Sequence, residues 1–343
     1  MTALTQHSPG THWRHRPGVA ADPEGGILLV GEDAPGALLW SLKPGFESTA
    51  PTTTMNPLHG ATGLIGQQNV TAAVRRRLAS RHGDARLVEA VEQLRPDAVM
   101  LIKGRGISPA GIAKVQQLGT TVTCYYPDNP RWRGGDPGAR ERLIACDTAV
   151  LWSARQASLL ATVAKRVEVV PFGFDPNWFP LADPGGDRSG VAFLGTWSPR
   201  RERFMAALEG LPLTIAGTGW AANSKLGGTE PIVEGDAGAV LRNAAIGVNL
   251  LHPQCAEAHN MRTREIPACG ALQVTDPGLD GTPFREGESC LWFTTPEELR
   301  NQVERAFADP VAATEMARKA QALIVNDTYE SRGKELAALL GLG

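Results

Sequence analysis

Apolar residues fall in short runs that alternate with stretches of helical periodicity almost from end to end, the rhythm of parallel strands joined by helical crossovers. In the first half the runs at 26–31, 98–102, 120–126, 148–152 and 167–170 read as buried strands. Residues 68–81, 85–94, 109–118, 138–145 and 154–164 read as the helices between them, and 51–66, rich in Thr, Pro and Gly, reads as a long loop. The rhythm stops at Pro171-Phe-Gly-Phe-Asp-Pro-Asn-Trp-Phe-Pro180 and resumes at Val191. Beyond it the pattern predicts strands at 191–194, 213–216, 246–251 and 272–275 and an edge segment at 290–293. Helices are predicted at 200–208 and 237–244, from about Thr263, and near Pro296 and Pro310; a last one over 329–340 follows the capping break Asn326-Asp327-Thr328. No repeat of roughly 20–50 residues is visible.

The predicted class is therefore α/β, with two doubly wound, Rossmann-like domains facing a cleft. The division is a tail over 1–25, a first domain over 26–172 and a second over 173–327, followed by a terminal helical stretch, 328–343. The 343 residues agree with two domains of roughly 100–200 each.

Composition adds exclusions. With 42% hydrophobic and 20% charged residues the chain can bury a core and is not disordered as a whole. Thirty-four Lys+Arg against 36 Asp+Glu leave a net charge of -2, so no chain-wide positive field draws nucleic acid or an anionic membrane. The five cysteines, Cys124, Cys146, Cys255, Cys269 and Cys290, contain no CxxC pair. That argues against a disulfide framework or a zinc ribbon and for a reducing, cytoplasmic setting. The first 25 residues lack the apolar stretch of a secretory signal, and no run approaches the ~20 residues that span a bilayer, so stable membrane insertion is not expected.

Ligands of doubly wound sheets bind at the carboxyl ends of the strands. The richest segment so placed is Glu257-Ala-His-Asn-Met-Arg-Thr-Arg-Glu265-Ile-Pro-Ala-Cys-Gly270, between a strand and a helix. A turn entering a helix offers backbone N–H groups and a positive dipole end to a diphosphate, and Arg262 and Arg264 can add charge-assisted contacts. Glu265, one turn into the helix, can accept from a pair of vicinal hydroxyls. Glu257 precedes the turn and would face a sugar or the reacting centre. His252 and Cys255 to His259 have a metal-like spacing, but nothing completes four ligands. Gly31-Glu-Asp-Ala-Pro-Gly36 lacks the third glycine of a dinucleotide fingerprint and reads as a cleft loop. Asp128 in Tyr126-Pro-Asp-Asn-Pro130 follows a strand and fits either an acceptor-orienting base or a cap. Arg200, Arg201 and Arg203 fit phosphate contact or a solvated helix face.

The spacing Glu257-x7-Glu265 followed by Ala-Cys-Gly resembles the signature of retaining nucleotide-sugar glycosyltransferases of the GT-B fold (glycosyl transferases group 1). Asn260-Met-Arg-Thr-Arg-Glu265 is most similar to the spore-maturation CgeB-like branch, whose form is Asn-Met-Arg-Thr-x-Glu. Phe193-Leu-Gly-Thr-Trp-Ser-Pro-Arg-Arg201, Ala216-Gly-Thr-Gly-Trp220 and Val170-Pro-Phe-Gly-Phe-Asp175 resemble that branch's first donor-domain strand, second Gly turn and interdomain linker. Pro96-Asp97 and Lys103-Gly-Arg-Gly106 resemble acceptor-domain positions of the same branch. The resemblance covers about 27–340 and is weak before Pro96.

It implies a transferase moving a sugar from a nucleoside diphosphate sugar, such as a UDP-sugar, to an acceptor hydroxyl, with retention and without a metal or other cofactor. The second domain would hold the donor through Gly195, Thr196, Gly217, His259, Asn260, Met261, Arg262, Thr263 and Glu265, and Glu257, Asp128 and Arg201 would be catalytic. The first domain would take the acceptor, whether glycan, natural product, protein or modified DNA, and 328–343 would pack back on it. A nucleotide-sugar epimerase or isomerase of the same fold, which would consume donor without acceptor, and a non-catalytic two-domain binder, which would never release nucleotide, are the alternatives.

Overall fold

The computed structural model describes residues 25–59, 72–132, 135–226, 236–255, 258–278 and 281–342. Its first sheet is built from β1 (Ile27–Val30), β2 (Thr52–Met55), β3 (Ala98–Ile102), β4 (Thr121–Tyr126), β5 (Thr148–Leu151) and β6 (Val167–Val169), all parallel, in the order β2-β1-β3-β4-β5-β6. The crossovers include α1 (Leu38–Glu47), α2 (Ala72–Leu94), α3 (Pro109–Gln117), α4 (Ala139–Ala145) and α5 (Ala154–Ser158). The central strands are buried on both faces, as helices on either side of a parallel sheet require. Alternation splits their side chains between two cores. Leu28, Val30, Val99 and Leu101 enter one, while Ile27, Leu29, Met100 and Ile102 enter the other.

The second sheet contains β7 (Val191–Leu194), β8 (Leu213–Ala216), β9 (Ile246–Asn249), β10 (Leu272–Thr275) and β11 (Leu291–Trp292), parallel in the order β11-β10-β9-β7-β8. Its helices are α6 (Pro199–Ala206), α7 (Trp220–Asn223), α8 (Asp236–Asn243), α9 (Arg262–Ala268), α10 (Pro296–Ala308) and α11 (Pro310–Ile324). Thr295 and Glu298 form a full capping box on α10, with Pro296 in its first turn.

The chain crosses between the sheets twice, side by side. On the outward crossing Phe174 N donates to Asp327 O at 2.9 Å, and on the return Tyr329 N donates to Phe174 O at 2.9 Å. The return leads into α12 (Tyr329–Ala338), which lies on α1 and puts Tyr329, Leu336 and Ala337 into the first domain's core beside Leu39, Leu42 and Phe46. Two glycines permit this crossing. A Cβ on Gly45 would sit 2.1 Å from Glu330 O, and one on Gly333 would sit 2.3 Å from Leu42 O.

Several expectations need correction. Residues 52–55 of the expected 51–66 loop are an edge strand, its ladder partner β1 outweighing a Thr-rich composition that reads as polar; 60–66 lie outside the described residues. Helix α1 was not expected, because Pro44 and Gly45 interrupt its pattern. The two helices expected at 68–81 and 85–94 are one continuous α2. Gly83 is present for close packing and does not break it: a Cβ there would meet Gly106 O at 2.2 Å. Conversely the helix expected at 154–164 ends at Ser158. The expected tail falls outside the described residues over 1–24.

Candidate active site

In the second sheet β8 and β9 lie on opposite sides of β7, so a crevice opens at the carboxyl ends of β7 and β9. Arg201 bridges it. Ser198 caps α6 by accepting from Arg201 N at 3.3 Å, and the Arg201 side chain turns back over the Phe193 ring. There it donates to Thr196 O at 2.7 Å and Leu250 O at 3.4 Å, one carbonyl on each side of the crevice. Burial, assisted by neighbouring Arg200, holds its pKa below the usual value. Arg200 reaches Leu251 O at 3.0 Å and Asp276 Oδ2 at 2.8 Å, and Asp276 Oδ1 also accepts from Leu251 N at 2.9 Å. Burial pushes the Asp276 carboxyl up, against the pull of Arg200.

A second opening lies between the turns that leave β7 and β8. It is a cavity of about 180 Å³ lined by Gly195, Thr196, Gly217, Thr218 and Arg262 with Leu194, Ala216 and Ala237. Gly217 has φ +152°, and a Cβ there would lie 2.1 Å from Gly195 O. Gly195 is itself fixed: its N donates to Ala216 O at 2.9 Å and its O accepts from Trp220 Nε1 at 2.7 Å. Backbone thus closes this end of the cavity, and among the described residues Arg262 is the one charged side chain in its lining.

The segment entering α9 is tied down by amides. Asn249, the last residue of β9, and Asn260 exchange hydrogen bonds at 3.1 and 2.9 Å. Asn260 Oδ1 accepts from Thr263 N at 3.2 Å, and Thr263 Oγ1 accepts in return from Asn260 N at 3.3 Å. The N–H groups of Asn260 and Thr263 are therefore taken up within the turn itself, unlike the open turn expected for a diphosphate. Met261 is exposed, whereas Thr263, Arg264 and Glu265 are buried. Arg262 pairs with Glu265 and stacks over Phe179 at 5.5 Å; burial lowers its pKa to about 10, so it remains cationic at neutral pH. Arg264 faces the other way, to Asp327 Oδ2 at 3.1 Å, and Arg332 of α12 takes the second oxygen of that carboxylate.

First-domain residues brace the same segment. Trp152 Nε1 donates to His259 O at 3.0 Å, Phe172 packs edge-on against the buried His259 ring at 5.7 Å, and Asn129 Nδ2 donates to Gln254 O at 3.3 Å. Trp132 meets His252 edge-on at 5.4 Å. Burial and the Arg201 charge hold His252 below the usual imidazole range. At the carboxyl end of β4 Asp128 pairs with Lys103 at 3.0 Å. Lys103 adopts φ +61°, a left-handed conformation unusual for lysine and often found near functional sites.

The structure thus collects Gly195, Thr196, Gly217 and Arg262 on one cavity, with Glu265 behind Arg262 and the Asn260–Thr263 turn beside it. Arg201 spans the adjoining crevice, and Asp128 lies on the opposing domain. Glu257 lies outside the described residues. The sequence reading singled out Lys103 in its Gly-rich turn and Arg200 at the start of a helix, but it foresaw neither the Lys103–Asp128 nor the Arg200–Asp276 pair, and it missed Trp132 and Asn249, which carry no signal of their own. Among the described residues no group of three or more His, Cys, Asp or Glu side chains is arranged to hold a metal ion, and no helix is long and apolar enough to cross a membrane.

Residues 200–338 match a family model described as glycosyl transferase-like. The chain is also similar to solved structures. HepE of Anabaena, in complex with UDP, shares 12% identity over 92% of this chain and 99% of that one, with a TM-score of 0.64. Sucrose-phosphate synthase from Thermosynechococcus elongatus shares 14% over 92% and 98%, with a TM-score of 0.63. A UDP-forming trehalose-phosphate synthase from Burkholderia vietnamiensis shares 12% over 92% and 100%, with a TM-score of 0.59. No curated protein matches. These likenesses establish the two-domain GT-B fold.

Proposed function

We propose that the chain is a cytoplasmic glycosyltransferase of the CgeB-like branch that moves a sugar from a nucleoside diphosphate sugar to an acceptor hydroxyl, with retention and without metal. The observation that carries this reading is the cavity between the β7 and β8 turns, with Arg262 in its lining and a buried carboxylate, Glu265, behind it. Further support comes from the glycosyl transferase-like match and from HepE, solved with UDP and with UDP-glucose.

In this reading the diphosphate lies against the 195–196 and 217–218 turns and Arg262, and Glu265 accepts from the ribose hydroxyls. Glu257 and Met261, the exposed tip of the segment that the buried His259 and Thr263 anchor, face the sugar. As the bond from the anomeric carbon to the phosphate oxygen breaks, negative charge grows on the departing diphosphate. Arg201, already held over the crevice, strengthens its interaction with that charge and lowers the barrier. The acceptor oxygen attacks the same face and passes its proton to the leaving phosphate, while Asp128, held by Lys103, orients the acceptor hydroxyl.

A thermal-shift panel of nucleoside diphosphates and their sugars tests this. The matching nucleotide at about 100 times its dissociation constant should stabilise the chain by about 2.7 kcal/mol. Glu265→Ala should weaken it by about 10- to 150-fold, the worth of a charge-assisted hydrogen bond. No shift across the panel would overturn the reading.

A further inference from the structure

Arg262 and Glu265 stand in series. Arg262 lines the cavity, and Glu265 does not: its side chain is 5% exposed against 28% for Arg262. The carboxylate is reached past the guanidinium that neutralises it. Among the described residues Arg262 has no other ion-pair partner, and its guanidinium carbon lies over the Phe179 ring. Arg201, tied to two backbone carbonyls, adds positive charge near Arg262 and so raises its need for an anion.

A neutral diol that takes up Glu265 competes with the Arg262 guanidinium for the carboxylate, draws the pair apart and leaves a mostly buried cation with a weakened partner, which is unfavourable. A diphosphate in the cavity supplies the missing negative charge as the diol arrives. We propose that Arg262 is a specificity-determining latch that surrenders Glu265 only to a ligand bringing its own anion, so that nucleoside and diphosphate are read as one unit and neither part binds well alone. This rests on the donor site proposed above and deepens it: selectivity against free nucleosides arises from a penalty as well as from lost phosphate contacts.

The test is equilibrium binding to the full chain, with UDP and uridine as probes, to the wild type and to Arg262→Gln. An arginine that only contacts phosphate predicts weaker UDP binding in the variant and unchanged uridine binding. The latch predicts opposite movements, with UDP weakened and uridine tightened by about 10-fold, a usual size for coupled sites. A second measurement uses the wild type alone. Saturating inorganic pyrophosphate should tighten uridine by a similar factor, since it satisfies Arg262 and frees Glu265. Uridine binding that is unchanged or weaker in Arg262→Gln, or indifferent to pyrophosphate, overturns the latch while leaving the donor site standing. Failure of UDP to bind the wild type overturns the UDP donor site itself, and the latch with it.

Discussion

Replacing Gly217 by alanine places a methyl group where the second-domain cavity is closed by backbone alone. The new Cβ would lie 2.1 Å from Gly195 O and 2.6 Å from Gly195 C, so the two turns must separate by close to an ångström. Gly195 cannot follow without loosening its bonds to Ala216 O and from Trp220 Nε1. Each such bond is worth about 0.5–1.5 kcal/mol net. The φ of +152° adds strain of about 1–3 kcal/mol for any residue with a Cβ. Together these place the cost at about 2–6 kcal/mol. Gly210→Ala is the internal control: Gly210 has φ +87° but nothing within 4 Å of the added methyl, so strain acts there without overlap. Urea unfolding followed by tryptophan fluorescence measures both, with Trp197 and Trp220 close to the affected turns. Gly217→Ala should be the more damaging and should also weaken nucleotide binding. If it is no worse than Gly210→Ala, the close approach of the β7 and β8 turns is not what shapes the cavity.

Arg201→Ala should lower kcat more than donor affinity, because its interaction grows as charge builds on the leaving diphosphate; equal losses in both, from steady-state and binding measurements, would make it a uniform binder. Asp128→Asn should slow transfer only modestly and leave product configuration unchanged, whereas an inverted anomeric centre by NMR with a rate loss of about 10²–10⁴ would make Asp128 a general base. Burial pushes the Cys255 thiol up to about 11 and those of Cys269 and Cys290 to about 12, against 9.0 for an ordinary thiol. A pKa raised by folding gives stability that is complete below the unfolded value and lost as pH climbs through the folded one. Tm in reducing buffer should therefore fall from about pH 9 upward, and Cys269→Ala should flatten the fall; identical slopes would refute this.

Most strands were legible because each is a short apolar run buried on both faces, as at Ala98–Ile102 and Val191–Leu194. The failures share a cause: local chemistry pointed one way and a partner remote in sequence decided otherwise. Thr52–Met55 becomes a strand because β1 supplies its ladder, and Gly83 sits in a helix because Gly106 presses against it. At the site the Glu265 segment stood out through residue type and spacing. The Asn249–Asn260 exchange and the Arg200–Asp276 pair did not, since each joins residues from different loops at the strand ends. The latch was half visible. Arg262 and Glu265 are three apart on a helix, but that Arg262 lines a cavity while Glu265 hides behind it is a matter of packing.

Anyone recombining this protein with a relative, to change its acceptor while keeping its donor, must reckon with α12. The two sheets invite a single crossover near Pro171, yet the first core is completed by Tyr329, Leu336 and Ala337 from the far end of the sequence. A hybrid joined once would place a foreign helix against Leu42 and Gly45, where Gly333 leaves no room for a side chain. Two junctions are needed, one on each strand of the double crossing, so that α12 travels with the half it covers. The acid at 327 belongs with both halves, for it pairs with Arg264 of the donor side and Arg332 of the returning helix. The exchangeable unit for donor specificity is thus an insert with two ends, carried by a first domain made from both ends of the chain.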